Sequence, residues 1–389
     1  MNFELTEEQN LIRETVREFA EREIKPVAKE LDEKAEFSHD LTRKMGELGI
    51  FGMYLPEKYG GQGLDYLSYI IAVEEIARID SSQAATLAAH NSLGIGPLYY
   101  YGNEEQKMKY LPPLCTGAAL WGFGLTEPDA GSDSRGTKTK AYLENGNWVI
   151  NGSKIFITNG SVDISVGSTV QTVTGEKDGR KEYSCIIVEK DTPGFTRRSM
   201  HGKMLWRASD TAELFFDDCR VSEGNLLGKV GEGSHIMLST LDSGRLSIAA
   251  MGLGLAQGAF ELALQYSKER KQFGQPIIKF QVTAFKLADM ATKIELARNL
   301  LYKACWLKDT GKPFGKESAM SKLYCSEIAR EVADEALQIH GGYGLMKDYD
   351  IERHYRDQRL LQIGEGTSEI QRLVISRYIG CGDEIPRLL

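Results

Sequence analysis

Trp148-Val149-Ile150-Asn151-Gly152-Ser153-Lys154-Ile155-Phe156-Ile157 is a run of β-branched and aromatic residues broken by one Asn-Gly pair. Such residues favour strands. Asn-Gly readily supplies the two positive φ angles of a type I′ turn, so the run predicts a β-hairpin turning at Asn151-Gly152. Residues 183–188 and 212–216 are strand-like as well, which places a β region at roughly 120–220.

On either side the period changes. Thr6 followed by Gln9 has the form of a capping box. Leu11, Ile12, Val16, Phe19, Ala20 and Ile24 then recur at helical spacing. Pro56, Gly60-Gly61 and Pro112-Pro113 punctuate further helical segments up to about residue 116. From about Gly231 the chain is helical again. Leu287, Met290, Ile294, Ala297, Leu301 and Ala304 step by three and four, a bundle-type stripe that Gly311 and Pro313 end. A second long helix runs from about Ser318 towards Gln338 and stops at Gly341-Gly342. The expected class is α+β: a helical domain at 1–118, a β domain at 119–228 and a helical bundle at 229–389. No internal repeat or low-complexity tract interrupts this order.

The chain has 389 residues, 42% hydrophobic and 26% charged, as expected of a globular protein with a sizeable core. Its net charge of -8 argues against a nucleic-acid partner, which wants a basic face. The six cysteines include no C-x-x-C pair, so neither a zinc site nor a redox pair is expected, and scattered thiols suit a cytoplasmic protein. The first residues have no basic n-region or apolar h-region, and no membrane span is expected.

Five segments carry candidate chemistry, and each has a plain reading beside the functional one. The segment from Phe123 to Ser132 is small and hydroxyl-rich, suited to close approach of a flat or phosphorylated ligand or simply to a tight turn. Phe156-Ile157-Thr158 is either a ligand wall or ordinary strand core. Arg270, with Gln272-Phe273-Gly274 and Gln281, offers paired donors for a pyrophosphate or a solvated helix-end cation. Residues 338–344, from Gln338 and Ile339 through Gly341 and Gly342, end a helix in three glycines, as a ligand cradle or a C-cap. Glu365 lies between Gly364 and Gly366, before a helix that Thr367 is placed to cap. A carboxylate so flanked can approach a ligand unobstructed, or stand in solvent.

Singly these signals are weak; their joint order is specific. L-T-E-P-x-A-G-S-D, I-T-N-G, R-x-Q-F-G, Q-I-x-G-G-x-G and E-G-T-S-E-I-Q-R run through a chain that, up to about Ile379, resembles the acyl-CoA dehydrogenase family. It is most like the short-chain (butyryl-type) and short branched-chain members. The resemblance implies an N-terminal helical domain, a central β barrel, a C-terminal four-helix bundle and a homotetramer. It implies FAD bound by Phe123, Leu125, Thr126, Gly131, Ser132, Phe156, Ile157 and Thr158, with Thr367 and Glu369 touching the flavin. Arg270, Phe273 and Gln281 would reach the FAD of a neighbouring subunit, and Gln338, Ile339, Gly341 and Gly342 would cradle its ADP part. Ser132, Asp242, Arg245 and Gly366 would hold the CoA moiety.

By the same resemblance Glu365 is the catalytic base that takes the thioester α-proton, while the β-hydride passes to flavin N5. Some relatives carry the base just before the CoA-binding arginine; that position is Gly244 here, which leaves Glu365. Gly364 replaces the tyrosine of straight-chain relatives, which implies room for a branched or alicyclic acyl group. Ala84 stands where glutaryl-specific relatives carry arginine, which argues against a dicarboxylate. His90 and Asn91 are polar residues of the expected pocket-lining stretch; Asn91 is a candidate substrate contact, and both read also as locally hydrogen-bonded. Electron-transferring flavoprotein is the implied electron acceptor. The alternatives are an oxidase or flavin monooxygenase of the same fold, a non-catalytic flavin-bearing nucleic-acid-binding homologue, and a silent scaffold.

Overall fold

Residues 4–381 are described by the structure, a computed structural model. Thr6 closes the expected capping box with Gln9 and starts α1 (Glu7–Phe19). Helices α2 (Lys25–Lys34), α3 (His39–Glu47), α4 (Tyr66–Ala77), α5 (Ser81–Ala89), α6 (Gly96–Tyr101) and α7 (Glu104–Cys115) complete the N-terminal part. A π-helical turn, His90–Ile95, joins α5 to α6. Such turns mark places where a helix re-aims its side chains, often at functional sites.

The β region contains β1 (Leu120–Gly124), β2 (Lys140–Glu144), β3 (Asn147–Thr158), β4 (Ser165–Lys177), β5 (Arg180–Glu189), β6 (Phe195–Ser199), β7 (Thr211–Ser222) and β8 (Leu226–Leu227). The expected hairpin is corrected in register. The turn with two positive φ angles is Asn145-Gly146, which joins β2 to β3. Asn151-Gly152 lies inside β3, at a shift in its pairing with β7. Gly152 is needed there for another reason: a Cβ would fall 2.7 Å from Thr139 Cα, and its φ is 146°. An Asn-Gly pair thus serves a bulge as well as a turn.

The strands form one sheet in the order β6-β7-β3-β2-β4-β5-β8, with β1 parallel to β4. These strands form the expected central β domain around one core, and its end strands do not pair with each other among the described residues. Alternation along β5 sends Ile186 and Val188 to that core with Trp148, Ile150 and Phe216. Cys185 and Ile187 face the other way, onto Leu111, Leu114, Ile236 and Met237 of the flanking helices.

Three long helices follow: α8 (Gly233–Glu269), α9 (Gln281–Asp309) and α10 (Gly315–His340). Two short ones, α11 (Ile351–Leu361) and α12 (Ser368–Tyr378), take the place of a fourth long helix in the expected bundle. The stripe Leu287–Met290–Ile294–Ala297–Leu301–Ala304 is buried as its spacing predicts. Helix α8 is long and apolar enough to cross a membrane by length and composition alone, but most of that stretch is buried in the protein as a core helix, consistent with the expectation of no membrane span. It packs backbone to backbone on α4: a Cβ on Gly254 would lie 2.1 Å from the Glu74 carbonyl oxygen. Glycine costs about 1 kcal/mol in a helix, and burial of neighbours such as Leu253 and Leu255, each worth about 1.5–3 kcal/mol, outweighs it.

Candidate active site

Helix α11 ends at Leu361, and the chain turns through residues 362–367 before Thr367 accepts from Ile370 N and caps α12. Within this loop Glu365 is held at φ 53°, a left-handed conformation that costs a non-glycine residue about 1–3 kcal/mol. The surrounding bonds offset that cost. Gln371 Nε2 donates to the carbonyls of Glu365 (3.2 Å) and Gly366 (3.0 Å), and Lys322 Nζ donates to the Gly366 carbonyl at 2.6 Å.

The turn drives the Glu365 side chain against α8. Its Oε2 would sit 2.1 Å from a Cβ on Gly244, and Leu93 Cδ2 of the π-turn 3.0 Å from that same Cβ. The residue keeps some exposure overall, but Oε2 has none and has no hydrogen-bond partner. Burial raises its pKa to about 7, against the pull of Lys322 and Arg245. A carboxylate poised near neutrality, packed against Gly244 and Leu93 and free to accept a proton, is suited to general-base work.

Arg245 is buried on α8, next in sequence to Gly244, the residue that the base abuts. It donates through Nη1 to Asp242, and its Nε is unpaired. Burial lowers its pKa, which Asp242 and Glu365 oppose. Gly366 is beside the base, and Gly364 precedes it. A Cβ on Gly364 would lie 2.8 Å from Leu360 Cδ2, so that direction is bounded by Leu360.

The other expected pocket residues are placed differently. Asn91 is fully buried, accepts from Gly52 N and donates to the Ile50 carbonyl, both at 2.9 Å. Its amide is occupied by backbone, in keeping with its reading as locally hydrogen-bonded. His90 bonds the Leu114 carbonyl, and burial lowers its pKa to about 4, so it stays neutral.

The loop from Phe123 to Ser132 is anchored by a buried pair. Glu127 accepts from Lys138 N, Thr139 N and Lys154 Nζ, while Lys154 also donates to the Leu125 carbonyl. Thr126 accepts from Ile155 N. Beyond this anchor Gly131 and Ser132 are exposed, and nothing lies within 4 Å of a Cβ on Gly131. Phe156 is 63% exposed at φ 61°, so its ring stands free of the sheet. Thr158 is half-buried, but Ile157 points into the sheet core, so only its backbone remains to meet a ligand. Phe123 is buried with the helices. Thr367 caps α12, and Glu369 is exposed in its first turn.

A second group assembles elsewhere. Tyr266, Arg270, Gln272, Ile339, Gly341, Gly342 and Tyr343 line a cleft of about 450 Å³, with the Arg270 guanidinium over the Tyr343 ring at 5.4 Å. Gly341 and Gly342 have nothing within 4 Å of a Cβ. Gln338 and Gln281 are exposed nearby in the chain, and Phe273 is 94% exposed on the short ribbon of β9 (Lys271–Gln272) and β10 (Gln275–Pro276). Bare glycines, a free guanidinium and projecting aromatics suit a flat phosphorylated cofactor. Arg245 lies a third of the way along α8 and Arg270 caps its C-terminus, about 37 Å apart at 1.5 Å per residue. This cleft is therefore remote from Glu365 of the same chain.

Lys322, Gln371 and Leu93 were not singled out by the sequence reading. The signal for Lys322 was present: it interrupts the small-residue stripe Ala319, Ser326, Ala329 and Ala333 on α10, all buried. No cluster of metal-ligating side chains occurs among the described residues.

This scaffold matches known proteins over its whole described length. The N-terminal, middle and C-terminal domains of acyl-CoA dehydrogenase match residues 6–118, 122–219 and 231–380. The probable acyl-CoA dehydrogenase YngJ of Bacillus subtilis is 53% identical, over 97% of this chain and 100% of that protein. Butyryl-CoA dehydrogenase from Megasphaera elsdenii superposes with a TM-score of 0.94 at 43% identity, over 97% and 100% of the two chains. A chain solved in work on the electron transferring flavoprotein of Acidaminococcus fermentans and flavin-based electron bifurcation superposes at 0.95 with 47% identity, over 98% and 100%. The fold and site define an oxidoreductase of the dehydrogenase type. The chain belongs to the acyl-CoA dehydrogenase family.

Proposed function

We propose that this chain dehydrogenates a short acyl-CoA thioester between Cα and Cβ, with Glu365 as the base. The observation that carries this is the Glu365 carboxylate: buried at Oε2, unpartnered, wedged against Gly244 and raised to about 7. Bound FAD supplies the hydride acceptor. The chain's own work is to hold the thioester between α8 and the 362–367 loop, keep water from the base and accept the α-proton at Glu365. The backbone N–H of Glu365 is a donor for the developing enolate oxygen. Asp242, Arg245, Ser132 and Gly366 are the groups proposed for the CoA part.

The cofactor is proposed to lie on Leu125–Thr126, Gly131–Ser132 and Phe156–Thr158 of one chain. Arg270, Phe273, Gln281 and residues 338–342 of a second chain would complete its site, because none of residues 125–158 lines the Arg270 cleft within one chain. A homotetramer is the assembly proposed to supply the second chain, and electron-transferring flavoprotein is the proposed acceptor. The cytoplasmic placement is supported by five buried, unpaired cysteines. The acyl group is read as short, with a methyl branch or small ring accommodated beside Gly364 within the limit set by Leu360.

The test is anaerobic flavin bleaching by a panel of acyl-CoA thioesters, in wild type and Glu365→Gln. The variant is expected to bind but to lose about 10²–10⁴-fold in flavin reduction. Because ionised Glu365 is the active form, the wild-type rate should rise with pH through about 7. Near-normal reduction by Glu365→Gln would place the base elsewhere.

A further inference from the structure

We infer that Lys322 is a positioning residue for this reaction: with Gln371 it clamps the Gly366 carbonyl and so fixes the backbone that aims Glu365 at Gly244. The inference rests on Glu365 being the base. It goes beyond that assignment by giving a task to a lysine on a neighbouring helix.

Lys322 has no exposed surface, and its place on α10 is a packing position shared with Ala319, Ser326 and Ala329. A buried ammonium is costly and is retained where it has a specific partner. That partner is a main-chain oxygen of the catalytic loop, 2.6 Å from Nζ. Gln371 Nε2 shares the same oxygen and also takes the carbonyl of Glu365. Two donors from two helices thus hold consecutive carbonyls of a loop whose central residue is in a left-handed conformation. Glu327, on α10 too, ties the two ends of the loop together by accepting from Gln362 Nε2 at its start and Ser368 Oγ at its close. Without the clamp the strained φ of Glu365 has less to maintain it, and its carboxylate has other places to go.

Lys322 also acts through charge. Glu365, Glu327 and Glu369 favour its charged form, while Arg245 on α8 and burial oppose it. In turn Lys322 is the first group, before Arg245, to hold the Glu365 pKa down against burial; Tyr69 of α4 is the other titratable neighbour of the base. Loss of the lysine charge leaves Glu365 protonated to higher pH. A merely structural lysine would not move that limb.

The test compares Lys322→Met, Lys322→Gln and wild type, each loaded with FAD. The readouts are flavin content, affinity for crotonyl-CoA, and the rate of anaerobic flavin reduction by butyryl-CoA across pH. For Lys322→Met, flavin content and crotonyl-CoA affinity should hold. Reduction should fall about 10- to 100-fold at neutral pH, the scale of a displaced reacting group. Its acid limb should move to higher pH. Lys322→Gln, which keeps a donor without the charge, should recover part of the rate but not the limb. It carries the test by itself if the methionine variant does not fold. Rates and limb superimposable on wild type would overturn the inference. Glu365→Gln, run in parallel, separates the two failures: if it still reduces flavin, the base assignment falls; if it is inert while Lys322 variants behave as wild type, only the positioning role falls.

Discussion

A Cβ on Gly244 would lie 2.1 Å from Oε2 of Glu365, so the base occupies the space a side chain on α8 would need. The two positions exclude each other sterically. This gives a physical reason why the residue before Arg245 is bare in a chain whose carboxylate comes from the loop. It also makes the position a sensitive probe of where the base must stand.

Gly244→Ala is therefore expected to push the Glu365 carboxylate off its place without disturbing the distant cofactor cleft. Displacement of a reacting group by about 1 Å can cost about 10²-fold, and a loss of that order in flavin reduction is expected at unchanged flavin content. The measurement is single-turnover reduction by butyryl-CoA. A wild-type rate would mean that the carboxylate works from another rotamer.

Arg270→Ala should weaken retention of FAD and loosen the oligomer together, because the Arg270 cleft lies about 37 Å along α8 from Arg245 beside the base and is proposed to serve the FAD of a second chain. Flavin content after gel filtration and the mass in solution check it. Full flavin content in an unchanged oligomer would remove Arg270 from the cofactor site.

How much of this was legible in the sequence depends on the range of the interaction involved. The α9 stripe and the Thr6–Gln9 capping box are local periodic signals, and both stand as read. Asn151-Gly152 was misread because Asn-Gly also suits a bulge, and the true turn, Asn145-Gly146, lay six residues earlier. For Asn91 both a substrate contact and local hydrogen bonding stayed open, because its backbone partners at Ile50 and Gly52 are about forty residues away and carry no sequence mark. Lys322 was missed for the same reason: its acceptor is a carbonyl 44 residues on, which any residue could supply. What the residues could show was the misfit of a lysine on an apolar stripe. Glu365 was found through its motif, while its left-handed φ and its wedge against Gly244 required the tertiary structure.

Substrate shape is expected to follow Gly364 and Leu360 jointly. A side chain at Gly364 would meet Leu360 Cδ2 at 2.8 Å, so Gly364→Tyr must displace Leu360 or turn towards the acyl group. If it turns inward, isobutyryl- and 2-methylbutyryl-CoA should lose more kcat/KM than butyryl-CoA, on the scale of about 1–3 kcal/mol per methylene-sized change. In the wild type the branched thioesters should rival butyryl-CoA. Unchanged selectivity in Gly364→Tyr, or a strong wild-type preference for the linear substrate, would show that Leu360 already fills the space.

The pair Glu127–Lys154 supports the loop that runs from Phe123 to Ser132, and its loss should be read in stability. Lys154 is fully buried, and its Nζ lies 2.7 Å from Glu127 Oε1. Burial alone would raise the Glu127 pKa, but Lys154 and the backbone donors of Thr139 and Lys138 bring it below the usual carboxylate value. Its contribution is therefore present above the unfolded carboxylate pKa and is lost as pH falls through the lower folded value. Lys154→Met leaves a buried carboxylate without its cation, a change that typically costs about 3–5 kcal/mol. The double variant Lys154→Met/Glu127→Gln removes both charges and should recover much of the loss, since the glutamine oxygen can still accept from Lys138 N or Thr139 N. Urea midpoints of the FAD-saturated proteins at neutral pH make the comparison. The buried pair has no special part in holding the loop if Lys154→Met unfolds with the wild type, or if the double variant is no more stable than the single one.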